Sequence, residues 1–182
     1  MIPELGHFLL WLALGVSAVL GTMPLAGAAR QRADWMALAR PSARLLFALV
    51  ALAFVCLALA FVGNDFSVLY VATNSNRSLP AHYRFAAVWG GHEGSILLWI
   101  LMLTFWTVAV AQFSRHLPDP VMARILAVMG WLSFGFLLFV LATSNPFDRL
   151  LPVPADGRDL NPLLQDPGMV IHPPMLYMGY VG

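Results

Sequence analysis

Four uncharged apolar runs follow one another along the chain, at about 7–29, 45–63, 94–114 and 125–145. Each is about 20 residues long, which spans a hydrocarbon core of roughly 30 Å at about 1.5 Å per residue. Water cannot satisfy the backbone inside that core, so each run must be a helix. The two-residue alternation of barrel strands is absent. The pattern predicts an all-α, polytopic membrane helical bundle with four complete transmembrane helices. A fifth apolar segment starts at about 172 and continues for only about ten residues, half of what a bilayer needs. The chain is therefore expected to stop inside its fifth helix, and 1–182 reads as the N-terminal part of a multi-pass membrane domain. Pro173 and Pro174 suit the opening of that helix, where a missing N–H costs nothing.

Ala26-Gly27-Ala28 resembles a signal-peptide cleavage site, but Glu4 and no Lys or Arg precede the first run. The run is also too long for such a segment, and it reads as a retained helix. Arginine placement sets the orientation. Arg30, Arg32, Arg40 and Arg44 follow the first run, opposed only by Asp34, and Arg115 and Arg124 flank the turn after the third, with Asp119. The other side carries Glu4, Asp65, Glu93, Asp148, Asp156, Asp159 and Asp166, diluted by Arg77, Arg84, Arg149 and Arg158. The first set is expected in the cytoplasm and the N-terminus outside. The segments at about 64–93 and 144–171 then become external, periplasmic loops.

Composition agrees with the pattern. Residues are 60% hydrophobic and 10% charged, against about 25% charged in soluble domains. A net charge of +1 with no basic run gives no reason to expect nucleic acid. Cys56 is the only cysteine, which excludes an intrachain disulfide, a CxxC pair and a cysteine-based zinc site. Its position in an apolar run reads as a small hydrophobe packed between helices.

The external loops are long, roughly 30 residues each, and such length in a compact chain signals function or disorder. Asn74-Ser75-Asn76 reads as a turn, and 79–89 as a short interfacial helix started by Pro80. Pro146, Pro152, Pro154, Pro162 and Pro167 make the second loop ordered but non-helical. On the cytoplasmic side, 34–38 is expected to lie on the membrane surface with Trp35 as its anchor.

His82, His92 and His172 fall on the external side, where imidazole serves as an iron or zinc ligand or as a proton relay. His7 reads as an interfacial polar group and His116 as a solvated one. Trp89-Gly90-Gly91-His92-Glu93-Gly94-Ser95 leads into the third helix. Its glycines allow close backbone approach or φ > 0, and Glu93 and Ser95 are placed to satisfy free N–H groups. His92-Glu93 is not a zinc-protease signature, because position 96 is Ile. The Asp-rich loop lacks calcium-loop spacing. From the residues alone, His172 reads first as a side chain hydrogen-bonded at the membrane interface, with a ligand role as the alternative.

Four segments together closely resemble the CcmF family, the large membrane subunit of the system that attaches haem to c-type cytochromes. They are Ile2-Pro3-Glu4-Leu5-Gly6-His7, Asn74-Ser75-Asn76-Arg77-Ser78-Leu79-Pro80, the Trp89 to Ser95 motif, and His172-Pro173-Pro174-Met175-Leu176-Tyr177-Met178-Gly179-Tyr180. A nitrite-reductase-associated paralogue shares much of this pattern. The resemblance implies a haem lyase component of the bacterial inner membrane, with haem b as its cofactor. It would accept haem from a membrane-anchored haem chaperone and present it to the CxxCH of apocytochrome c, alongside that system's thiol-reducing and chaperone subunits and in contact with membrane lipid.

By the same resemblance, His172 matches the first of two external haem-ligating histidines. Trp89, Gly90, Gly91, His92 and Glu93 belong to a matching motif, expected to shape the external surface or dock the chaperone. The family's second histidine and its Trp-rich loop come later in its chains, so this piece is not expected to act alone. No catalytic residue is expected within it. The alternative is a structural or transport subunit without a haem-ligating role. Transport would call for intramembrane charge, and the four runs contain none.

Overall fold

The computed structural model describes residues 1–114 and 116–181. Arg115, part of the charge asymmetry above, and Gly182, which ends the last apolar segment, lie outside the described residues. Eight α-helices are described: α1 (Ile2–Arg30), α2 (Ala33–Met36), α3 (Ala39–Val62), α4 (Leu69–Asn74), α5 (Ala81–Ala86), α6 (His92–Phe113), α7 (Asp119–Thr143) and α8 (Pro167–Val181). Short 3-10 turns lie at Ala87–Trp89 and Pro162–Gln165. Among the described residues there is no strand, only an isolated antiparallel bridge between Val68 and Arg149. Four segments are long and apolar enough to cross a membrane: α1, α3 with α2 leading into it, α6 and α7.

The helices run past the uncharged runs because an arginine near the end of a span can reach the polar headgroups with its long side chain, so the helix need not stop where charge begins. Thus α3 already contains Arg40 and Arg44, and α7 contains Arg124. α1 ends where Gln31 adopts φ 55°, with its N–H on the Gly27 carbonyl. This left-handed residue turns the chain into α2, whose Trp35 ring lies 5.5 Å from the Arg30 guanidinium and 5.2 Å from that of Arg32.

α1 packs most extensively on α7 and α3. Its buried face follows alternating steps of four and three, through Gly6, Leu10, Ala13, Ser17, Leu20, Pro24 and Gly27. That spacing keeps one narrow seam against a neighbouring helix. α3 repeats it with Ala39, Ala43, Leu46, Val50, Ala53, Leu57 and Ala60. Small residues dominate because no hydrophobic force drives helices together within lipid, and close contact must supply the attraction. The α1–α7 crossing is the tightest case. A Cβ on Gly130 would stand 2.9 Å from the Gly21 backbone nitrogen, and one on Gly21 would meet the Trp131 ring at 2.9 Å.

The start of α1, the end of α3, the start of α6 and the end of α7 share one end of the bundle, together with both long loops. The Ser67 carbonyl accepts from the Leu150 N–H at 2.9 Å and the Leu69 N–H donates to the Asp148 carbonyl at 2.8 Å, so the loops pair with each other. Asn76 bonds Asp159, and the Arg77 N–H donates to the Asp156 carboxylate at 3.0 Å. Arg149 reaches Glu4 at the head of α1 and lies 3.8 Å from Asp65. At the opposite end, the Arg44 guanidinium donates to the Gln112 side chain at 2.9 Å and joins α3 to α6.

α8 begins at Pro167, five residues before the sequence reading places the opening of the fifth segment. The Asp166 carboxylate accepts from the N–H groups of Gly168 at 2.8 Å and Met169 at 3.2 Å. An N-capping Asp followed by Pro in the first turn is a standard helix start. Pro173 and Pro174 consequently lie inside the helix and not at its mouth.

Candidate functional site at the loop-bearing end

The entrance to α6 is built around Tyr70, a buried side chain of α4. Its phenol donates to the Val88 carbonyl at 3.0 Å and accepts from the Gly91 N–H at 2.9 Å. Burial pushes the phenol's pKa well above its ordinary range, so it stays neutral and keeps its donor. Phe61 from α3 packs edge-on against the Tyr70 ring at 5.2 Å.

The glycines of the motif serve close approach; among the described residues no glycine has positive φ. A Cβ on Gly94 would lie 1.6 Å from the Val88 carbonyl oxygen, and one on Gly91 would lie 2.7 Å from the Tyr70 ring. Gly91 caps α6 without a side-chain hydrogen bond. Ser95 therefore does not cap the helix, as the sequence suggested. Its hydroxyl donates backwards to the Trp89 carbonyl at 2.8 Å and closes the turn between them.

Trp89 connects this entrance to α8. Its indole N–H donates to the Val170 carbonyl at 3.0 Å, and Phe85 packs edge-on to it at 5.3 Å. In an uninterrupted helix the Val170 carbonyl would accept from residue 174, but Pro174 has no N–H to give. The Trp89 motif thus supplies the donor that the His172 motif lacks. About two turns further along α8, the Trp106 indole donates to the Met178 carbonyl at 3.3 Å. These two bonds hold one side of α8 against α6. Trp89→Phe is expected to keep the ring packing and lose the bond to Val170. Hydrogen exchange at the first turns of α8 should then accelerate while α6 stays protected; unchanged exchange would show that the bond does not hold the helix.

His172 is exposed on the side of α8 that turns away from α6. Met175, Leu176 and Tyr180 continue that face and are 67%, 44% and 82% exposed. His92 is placed differently: its Nδ1 shares a 3.2 Å hydrogen bond with the Ser144 hydroxyl, and its ring meets Phe139 edge-on at 6.2 Å. It borders a hollow of about 350 Å³ between α6, α7 and α8, lined by Ser95, Ile96, Trp99, Phe136 and Tyr177. His82 is exposed on α5, its ring 4.3 Å from that of Tyr83. Glu93 lies in the first turn of α6, and Gly90 packs against Leu160 and Leu164 of the second loop. Among the described residues no group of three His, Cys, Asp or Glu side chains could hold a metal ion. The donor set fits a ligand that takes a single imidazole.

Sequence reasoning missed Tyr70 and Ser144, which belong to no motif and act through contacts far along the chain. The Trp89–Val170 bond left one signal: a proline four residues after Val170 announces a carbonyl in need of a donor.

The family model described as cytochrome C assembly protein matches residues 89–182, the half that holds the α6 entrance and α8. The chain belongs to the cytochrome c assembly protein family. It is 62% identical to the cytochrome c-type biogenesis protein CcmF of Pseudomonas aeruginosa and 60% identical to that of Escherichia coli K12, over its whole length. The cytochrome c-type biogenesis protein NrfE of Haemophilus influenzae is 44% identical, again over the whole chain. A solved structure titled cytochrome c heme lyase CcmF matches with a TM-score of 0.84 and 25% identity, covering all of this chain and 28% of that one. The chain spans 28% of the length of the two CcmF relatives and 29% of NrfE. With four helices able to span a membrane, this member of the assembly family is a multi-pass membrane protein.

Proposed function

We propose that this chain forms the entry portion of a cytochrome c haem lyase in the bacterial inner membrane. Its loop-bearing end faces the periplasm, and its arginine-rich end faces the cytoplasm. Haem b arrives from a membrane-anchored haem chaperone and is presented to the CxxCH of apocytochrome c, delivered with its thiol-reducing and chaperone subunits. Whole-chain similarity to cytochrome c biogenesis proteins supports the reading, with higher identity to the CcmF relatives than to NrfE. The observation that carries it is the exposed His172 on a helix held by the motif that precedes α6.

When bound, the haem would supply the vinyl groups that receive the cysteine thiols. His172 would hold its iron through one imidazole, and Met175, Leu176 and Tyr180 would offer an apolar face beside it. Trp89, Gly90, Gly91, His92 and Glu93 would fix the position of α8 and shape the surface on which the chaperone docks. The contribution of these residues is orientation, holding the thiols and vinyls in register, and no side chain of this stretch acts as a nucleophile.

The test is the visible spectrum of the full-length protein purified with its haem chaperone, comparing wild type with His172→Ala. External haem is expected to fall to background in the variant, while folding and chaperone binding persist. If external haem is retained in full, His172 is not a ligand and the reading of this site fails.

A further inference from the structure

At the arginine-rich end, a hollow of about 200 Å³ opens between α2, the start of α3 and the start of α7. Ala33 and Met122 form part of its wall, and its two charged residues are Arg40 and Asp119. The two charges line one hollow but do not pair with each other. Among the described residues neither forms a hydrogen bond or ion pair, and the Arg40 Nε is buried without a partner. The neighbouring arginines are engaged: Arg30 and Arg32 lie over Trp35, Arg32 also pairs with Asp34, and Arg44 donates to Gln112. An unsatisfied, buried guanidinium N–H is costly unless something accepts from it.

The position narrows the choice of acceptor. The hollow sits at the ends of the two candidate spans that contain α3 and α7, and the end of a span of bilayer length falls at the lipid headgroups. A guanidinium fork matches phosphate oxygens, and a carboxylate beside it matches an ammonium group. We propose that this hollow binds the headgroup of one ethanolamine phospholipid, with the phosphate on Arg40 and the ammonium on Asp119. Phosphatidylglycerol carries the same single phosphate charge but no ammonium group to meet Asp119, and would bind less well. The bound lipid would brace α2 and α3 against α7 at the end remote from the haem-handling loops.

The test uses the full chain purified in detergent, stripped of lipid and re-exposed to known lipids, with retained lipid counted by native mass spectrometry. Wild type is expected to retain one phosphatidylethanolamine in preference to phosphatidylglycerol. Arg40→Gln should lower that retention by about tenfold or more, the effect of losing one hydrogen bond to a charged group. Asp119→Asn should remove the preference and raise phosphatidylglycerol retention, a reversal that mere unfolding would not produce. The proposal is overturned if wild type retains both lipids equally, or if Arg40→Gln retains as much as wild type. Soluble glycerophosphoethanolamine competing as well as the lipid would overturn the membrane source.

Discussion

Replacing Gly94 with alanine is expected to destabilise the protein by about 3 kcal/mol or more, at the upper end of overpacking costs. The added Cβ would fall 1.6 Å from the Val88 carbonyl oxygen and 2.7 Å from the Tyr70 hydroxyl. A backbone carbonyl cannot swing aside like the tip of a flexible side chain. The turn before α6 must therefore shift as a whole, and the Tyr70 bonds to Val88 and Gly91 shift with it. Trp89 lies inside that turn, so its hold on Val170 is expected to loosen as well. Thermal unfolding in detergent should show a fall in Tm of several degrees, with faster proteolysis of 63–91. A Tm within about a degree of wild type would mean that the α6 entrance is not packed this closely.

Tyr70→Phe is expected to cost about 2–3 kcal/mol with no steric clash, since it strands one buried and one part-buried backbone group. The Val88 carbonyl loses its donor at 3.0 Å and the Gly91 N–H its acceptor at 2.9 Å. A pH profile separates this from a general loss of packing. The folded phenol is raised above the ordinary value of 10.0, chiefly by burial. Its contribution is therefore complete below pH 10 and declines as pH rises beyond that, where the unfolded phenol ionises first. Wild type should lose stability on that alkaline limb, and Tyr70→Phe should lack this part of the loss. Identical alkaline slopes would show that Tyr70 is not the buried group it is in this fold.

The four spans were legible because an apolar run of bilayer length has few other fates. Their ends were less so, since helices continue through the headgroups with arginines attached, as α3 does with Arg40 and Arg44. Which face of each span is buried was not legible. Lipid is as apolar as the protein interior, so Leu10 on the seam and Leu12 on the outside carry the same signal. The steps of four and three through Gly6, Ala13, Ser17 and Gly27 were present, but only the partner helices give them meaning. At the site, the motifs were visible and their connection was not. Tyr70 meets Gly91 from 21 positions away and Trp89 meets Val170 from 81, separations that no local pattern records. The start of α8 was legible after all, in Asp166-Pro167, and the double proline drew attention away from it.

The glycine crossing between α1 and α7 bears on how the chain is made. Of the four spans α1 leaves the ribosome before the others, yet one of its two chief neighbours is the last of the four to be synthesised. Until that span arrives, α1 has α2 and α3 beside it but lacks the partner that meets it at Gly21. The α1–α7 crossing thus closes late, and an arrest of translation before residue 119 leaves α1 without it.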